Sequence, residues 1–252
     1  MSALLGRQAV LTGAAGGIGR AIARELLAQG ATLHAIDRDA AGLASLAQEY
    51  PGRCRVYPVD LAARSATDRM LGELTTALAG RCDILVNNAG IARVQPFCMT
   101  DDALLDRLFA VNFTAVFRVT RTLLPALRAS GHASVVNIAS ELALIGQAGH
   151  TAYSATKGAI LAFSRALAVE LAADGIRVNA VCPGPIDTSM LADEFALGAD
   201  PIAARAGEIA TVPLGRLGLP RDIAGVVAFL AGDAAGFVTG AVWPVDGGKT
   251  AR

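Results

Sequence analysis

An α/β architecture, with one parallel sheet covered by helices on both faces, follows from three features of the 252-residue sequence. Short apolar runs alternate with longer helical patterns almost from end to end. That alternation calls for right-handed crossovers between parallel strands. The runs are rich in Val, Ile and Leu, as strands buried on both sides must be. A glycine-rich turn, Thr12-Gly-Ala-Ala-Gly-Gly-Ile-Gly19, joins the first run to the first helical pattern.

Taken in order, Gln8–Thr12 reads as the first strand and Gly17–Gln29 as a helix closed by Gly30 in the C-cap position. A strand over Thr32–Ile36 precedes a helix over about Ala40–Gln48, and a third strand, Arg55–Val59, precedes a helix over about 63–79. Asp83–Asn87 is the fourth strand, followed by a long helix over about Thr100–Ala129. Ser134–Ala139 is the fifth, followed by another long helix over Thr151–Ala173, and Ile176–Cys182 is the sixth. From 183 to about 219 the pattern breaks into Pro, Gly and short helical pieces, before a helix near Asp222–Ala231 and a last strand near Ala241–Val245. Nothing reads as a linker, a repeat or a second core, so a single domain over 1–252 is expected. Residues 186–212 form a substrate lid within it.

Composition narrows the function. Half the residues are hydrophobic and 17% are charged, enough for a sizeable core. The 22 Lys and Arg balance 22 Asp and Glu, which leaves no basic field for nucleic acid or an anionic membrane. No apolar stretch reaches the ~18 residues that span a bilayer. There is no secretory signal, so a cytoplasmic location is expected. Cys54, Cys82, Cys98 and Cys182 lack metal-like spacing and read as buried free thiols; no metal site is expected.

Glycines between a strand and a helix let the backbone approach a diphosphate, and the helix N-terminus offers free N–H groups and a positive dipole end. Asp37 ends the second strand, 18 residues beyond Gly19. An acidic side chain there accepts hydrogen bonds from adenosine ribose hydroxyls and repels a 2′-phosphate, favouring NAD over NADP. Arg38, able to pair with that phosphate or to face solvent, is the complication. Asp60-Leu61 and Asn87-Asn-Ala-Gly90 follow the third and fourth strands, where ligands bind in open α/β sheets.

Tyr153 and Lys157 stand four apart at the start of a helix and project from one face. A tyrosine hydroxyl normally titrates near ~10. A neighbouring ammonium is expected to stabilise the phenolate and pull that value down, making a base for alcohol oxidation. Ser140, read at the end of the fifth strand, could hold the substrate oxygen.

Thr12-Gly13-x-x-x-Gly17-x-Gly19, Asn87-Asn-Ala-Gly90, Ser140, Tyr153-x-x-x-Lys157, Pro183-Gly184 and Val245-Asp-Gly-Gly248 together resemble the short-chain dehydrogenase/reductase family, in its NAD-preferring branch. The likeness runs over essentially the whole chain. It implies a Rossmann-like, doubly wound sheet of about seven strands in the order 3-2-1-4-5-6-7. It implies an oxidoreductase moving a hydride between NAD and a secondary alcohol or ketone. By that resemblance Tyr153 is the acid/base, Ser140 polarises the substrate oxygen, and Lys157 holds the nicotinamide ribose. Asn112 supports a water link to that lysine. Gly13, Gly17, Ile18 and Gly19 belong to the cofactor turn, Asp60 and Leu61 flank the adenine, and Asn88, Ala89 and Gly90 line the cleft. Pro183, Ile186 and Thr188 cradle the nicotinamide end. A homotetramer is also implied, and Ala155, Ala159, Ala162 and Ala166 have the spacing for close helix contact between subunits.

Two residues stand apart. Glu141 follows the serine, where a carboxylate is uncommon; it either turns to solvent or marks a polar substrate. His150 occupies a position that often borders substrate in the family, although a lone histidine is also a common structural residue. Polyols, sugars, hydroxy acids, steroid-like alcohols and β-hydroxyacyl groups are all admitted. A preference for NAD ranks a polyol, sugar or other small secondary alcohol first, and NADPH-linked reduction of a 3-oxoacyl carrier-protein substrate second. A non-catalytic nucleotide-binding or structural protein would be expected to lack Tyr153, Lys157 or Ser140.

Overall fold

The computed structural model describes residues 3–251, so the two ends of the domain expected over 1–252 lie outside the described residues. Seven parallel strands form one sheet in the order β3-β2-β1-β4-β5-β6-β7. They are β1 (Gln8–Thr12), β2 (Thr32–Asp37), β3 (Cys54–Pro58), β4 (Ile84–Asn87), β5 (Ser134–Ile138), β6 (Arg177–Pro183) and β7 (Val242–Val245). The sheet is Rossmann-like and doubly wound, as expected. Strand limits move by a residue here and there; β5 stops at Ile138, which leaves Ser140 two residues beyond the strand.

Successive side chains of a strand point to opposite faces, and each face has its own core. Ala9, Leu11, Leu33, Ala35, Ile84, Val86 and Val136 pack on one face. They meet α1 (Gly17–Ala28), α2 (Ala40–Glu49) and α9 (Pro220–Ala231) through Ile22, Leu26, Leu43, Leu46, Ile223 and Val227. Val10, Ile36, Leu85 and Val135 pack on the other. Their partners include Leu71 and Leu74 of α3 (Arg64–Ala77), Val119 and Leu123 of α5 (Ala115–Ser130), and Leu171 of α6 (Thr151–Leu171). Helix starts follow local chemistry. Asp39 and Asp101 cap α2 and α4 (Asp102–Phe109) by accepting from Gly42 N and Leu104 N. Pro220 opens α9 at a position where its missing N–H costs nothing.

The long helix expected over 100–129 is instead α4, a π-helical turn over Ala110–Thr114, and α5. The turn contains the buried Asn112. Between β6 and α9 the chain forms two short helices, α7 (Ser189–Phe195) and α8 (Pro201–Ala210), neither of which buries a residue. The cysteine expectation needs correction. Cys82 and Cys182 are buried, but Cys54 is half-buried and Cys98 exposed, because Cys98 lies in a single 3-10 turn over Phe97–Met99 that buries none of its residues. No helix among the described residues is long and apolar enough to cross a membrane.

Candidate active site

A cleft of about 670 Å³ opens at the carboxyl ends of the strands. It gathers every catalytic, cofactor and substrate residue expected from the sequence except Asn112, which lies directly behind Gly90.

One end is the β1–α1 turn. Thr12 Oγ1 accepts from the backbone N–H of Asn88 (3.0 Å) and Ala89 (3.1 Å), and Asn88 Nδ2 donates back to the carbonyls of Thr12 (3.1 Å) and Gly13 (2.9 Å). The turn is thereby stitched to the end of β4, and two glycines are required by packing. A Cβ on Gly19 would lie 1.7 Å from Gly13 O, and one on Gly13 would lie 2.8 Å from Ala89 Cα. Gly17 adopts φ +46, and a Cβ there would sit 3.2 Å from Thr188 Cγ2. No side chain caps α1, so its first N–H groups remain available to an anion, and Ile18 is in the wall beside them. Asp37 accepts from Ala15 N (2.9 Å) and Asp39 N (3.0 Å), while Arg38 is exposed at the same rim. Asp60 pairs with Arg107 of α4 at 2.8 Å, a partner sequence reasoning missed. Leu61 is buried nearby.

At the other end, Ser140 accepts from Leu142 N (3.1 Å), and its side chain stands close enough to the Tyr153 hydroxyl to favour the phenolate. Lys157 follows one helical turn on, with Nζ 5.8 Å from the tyrosine ring centroid and donating to Ile138 O at 2.9 Å. The expected acidic phenol is not found. Burial pushes the Tyr153 hydroxyl up to about 12; the Ser140 side chain opposes this, and the Glu194 and Glu141 carboxylates add to it. Burial likewise lowers Lys157 to about 8. The reason is geometric: the ammonium is spent on a carbonyl, and desolvation of the phenolate outweighs it.

Asn112 is fully engaged. Its Oδ1 accepts from Ile91 N (2.9 Å), and its Nδ2 donates to Ile91 O (3.0 Å) and Thr156 Oγ1 (3.0 Å). It braces the strand-end loop against α6, and no bond links it to Lys157. Pro183, Ile186 and Thr188 line the cleft beyond β6, and Thr188 donates to Ile186 O at 3.2 Å.

Glu141 does not turn to solvent. It is only 4% exposed and ion-paired at 2.8 Å with Lys249, which also holds Glu208 of α8 at 2.6 Å. Burial still raises its carboxyl above the usual range, against the pull of Lys249. His150 is buried in the cleft wall, edge-on to Tyr153, with Nε2 3.7 Å from Glu194 Oε2. The Glu194 carboxylate raises its pKa. Lys249, Glu208 and Glu194 were all missed. One signal was available: a carboxylate inside the apolar run Ile138-Ala-Ser-Glu-Leu-Ala143 must find a cation when buried.

Known proteins share this architecture over its whole length. The family model described as Enoyl-(Acyl carrier protein) reductase matches residues 13–250. L-xylulose reductase from Bos taurus is 39% identical over 246 residues, 97% of each chain. The 3-oxoacyl-(acyl-carrier-protein) reductase FabG from Thermotoga maritima is 36% identical over 248 residues, 97% of this chain and 98% of that one. A crystal structure of a provisionally assigned NAD(P)-dependent gluconate 5-dehydrogenase from Beutenbergia cavernae, with NADP bound at low occupancy, superposes with a TM-score of 0.91 at 38% identity. It covers 100% of this chain and 99% of that one.

Proposed function

The chain belongs to the short-chain dehydrogenase/reductase family, and from that premise we propose that it is an oxidoreductase interconverting a secondary alcohol and a ketone with a nicotinamide dinucleotide. The carrying observation is the grouping of Ser140, Tyr153 and Lys157 at one end of a cleft whose other end is the uncapped start of α1. The nicotinamide dinucleotide, when bound, supplies the hydride acceptor or donor.

The diphosphate is held by the backbone N–H groups at Gly17, Ile18 and Gly19, and the adenosine by Asp37, Asp60 and Leu61. Asn88, Ala89 and Gly90 form the floor, and Pro183, Ile186 and Thr188 the wall of the nicotinamide end. Asp37 makes NAD the preferred form, since a 2′-phosphate beside its carboxylate would be repelled. Tyr153 gives its hydroxyl proton to a ketone oxygen or takes one from an alcohol, and Ser140 fixes that oxygen. Lys157 holds the ribose hydroxyls of the nicotinamide end. Asn112 keeps the Ile91 loop and α6 in register. Residues 186–212, carrying α7 and α8, close over the substrate. Exposed Phe117, Ala155, Ala162 and Ala166 of α5 and α6 favour a homotetramer built on those helices.

A polyol, sugar or other small hydroxy compound is the substrate class this reading ranks first. NADPH-linked reduction of a 3-oxoacyl thioester is the second reading, favoured by the 36% identity to the Thermotoga protein. The ratio of activities with NAD and NADP separates them.

The test is Tyr153→Phe with a panel of secondary alcohols and ketones. Turnover falls about 10³-fold while dinucleotide affinity stays within a few-fold; a variant keeping more than a few percent of the rate would refute the acid/base assignment. The pH profile gives a second reading of the same phenol. Burial keeps it protonated through neutral pH, so ketone reduction is nearly flat there. Alcohol oxidation, which needs the phenolate, climbs about tenfold per pH unit until another step limits.

A further inference from the structure

The closing stretch Val245-Asp-Gly-Gly248 is the one motif that this chemistry leaves without a task. It begins at the last residue of β7 and turns back towards the catalytic end. The Asp246 carboxylate accepts from Gly248 N (2.9 Å), Thr250 N (2.8 Å) and Thr250 Oγ1, which folds the chain into a tight turn. Gly247 and Gly248 adopt φ of +64 and +90 in that turn, a region that favours glycine. Gly184 packs so closely against it that a Cβ there would lie 2.6 Å from Asp246 Cα.

What this fixed turn presents is Lys249. The residue is 9% exposed, and its ammonium joins two separate parts of the cleft wall. Nζ donates to Oε1 of Glu141, next in sequence to Ser140, at 2.8 Å and to Oε1 of Glu208 on α8 at 2.6 Å. Burial works against the charge, but the two carboxylates hold its pKa above the ordinary value. Helix α8 buries none of its own residues, and its other ion pair, Arg205–Asp187, stays inside the 186–212 segment. Among the described residues, Lys249 is therefore the one charged tie between α8 and the serine loop.

The two halves of this tie are unequal. Glu141 is 4% exposed with Oε2 enclosed, whereas the Glu208 side chain is 17% exposed on a surface helix. Closed, the cluster sets two carboxylates against one ammonium. Without Glu208 it becomes a neutral pair and the released carboxylate is hydrated; parting from Glu141 would strand a buried anion.

We propose that Lys249 is a positioning residue that latches α8 over the catalytic end, and that the latch opens on its Glu208 side while the Lys249–Glu141 pair stays closed beside Ser140. The proposal rests on the oxidoreductase reading of this cleft and adds the contact that governs access to it.

Hydrogen exchange and steady-state kinetics test it on the full chain with Glu208→Ala, Lys249→Met and the two combined. In Glu208→Ala the amides of α8 exchange about tenfold faster, while those of the β1–α1 turn stay within about twofold. KM for the alcohol rises about tenfold with kcat within about threefold, because Lys249 and Glu141 remain paired. Lys249→Met also leaves Glu141 without its cation, so kcat falls about tenfold as well. The combined variant exchanges at α8 within about twofold of Lys249→Met, since both changes break one bond. Glu208→Ala, made at the partly exposed end, carries the test if Lys249→Met folds poorly.

Unchanged exchange of α8 in Glu208→Ala, equal acceleration at the β1–α1 turn, or effects that add in the combined variant would overturn the proposal. Faster exchange of α8 with no alcohol or ketone turned over by the wild type keeps the latch and removes the hydride chemistry. Turnover with α8 exchange unchanged in the variant does the reverse.

Discussion

The β1–α1 turn and the segment from 186 to 219 form opposite walls of one cleft, but they are held by different means. The turn is locked by two short side chains on backbone groups, Thr12 Oγ1 and Asn88 Nδ2 making four hydrogen bonds with Thr12, Gly13, Asn88 and Ala89, and it has no room for a Cβ at Gly19. The later segment buries no residue of α7 or α8, and Met190, Leu197 and Ile202 remain exposed. Side chains tie it down: Arg205 to Asp187 by two bonds of 3.0 and 2.9 Å, Glu208 to Lys249, and Glu194 near His150. Short side chains bonded to backbone, with no space for a Cβ beside them, fix that geometry tightly. The exposed Arg205–Asp187 pair contributes little, and the two largely buried ties reach α7 and α8 through single side chains, so this wall can open while the turn stays rigid.

The contrast can be broken most forcefully at Gly19. Gly19→Ala puts a methyl group into a carbonyl that cannot retreat. A loss of about 3 kcal/mol and a fall in Tm of about 10 °C are expected in thermal unfolding. A Tm within about 2 °C of wild type would mean that the turn yields after all.

Asp37→Ala tests the same wall more gently, removing the acceptor for Ala15 N and the group assigned to the ribose. The ratio of kcat/KM for NAD over NADP should drop about tenfold. An unchanged ratio takes Asp37 out of the adenosine site. Smallest of the three is Arg205→Ala on α8, where both partners of the pair are exposed. Tm should stay within about 2 °C while KM for the alcohol rises. A fall in Tm matching that of Gly19→Ala would erase the distinction between the walls.

The same division decides what could be read in advance. Strands, crossovers and the glycine turn are written in local patterns of two, three and four residues, and the sheet order and cleft location came out as expected. Tyr153, Ser140 and Lys157 were legible because one helical turn and one strand end place them. Partnerships were not. Glu141 and Lys249 are 108 residues apart, and no periodicity links them. Arg107 reaches Asp60 across 47 residues. The direction of the Tyr153 shift was misread for a related reason. Spacing puts an ammonium nearby, but only the fold shows that it donates to Ile138 O and that burial raises the phenol instead.

The wide turn at Ala110–Thr114 makes chain length, more than residue identity, the quantity under constraint between α4 and α5. Each residue of a helix advances its face by about 100°. Deleting one residue there would close the turn into ordinary helix, leaving Val119 and Leu123 on the sheet but carrying Asn112 away from Ile91 and Thr156. Homologous helices of this family should therefore accept substitutions in that stretch far more readily than a change in their count.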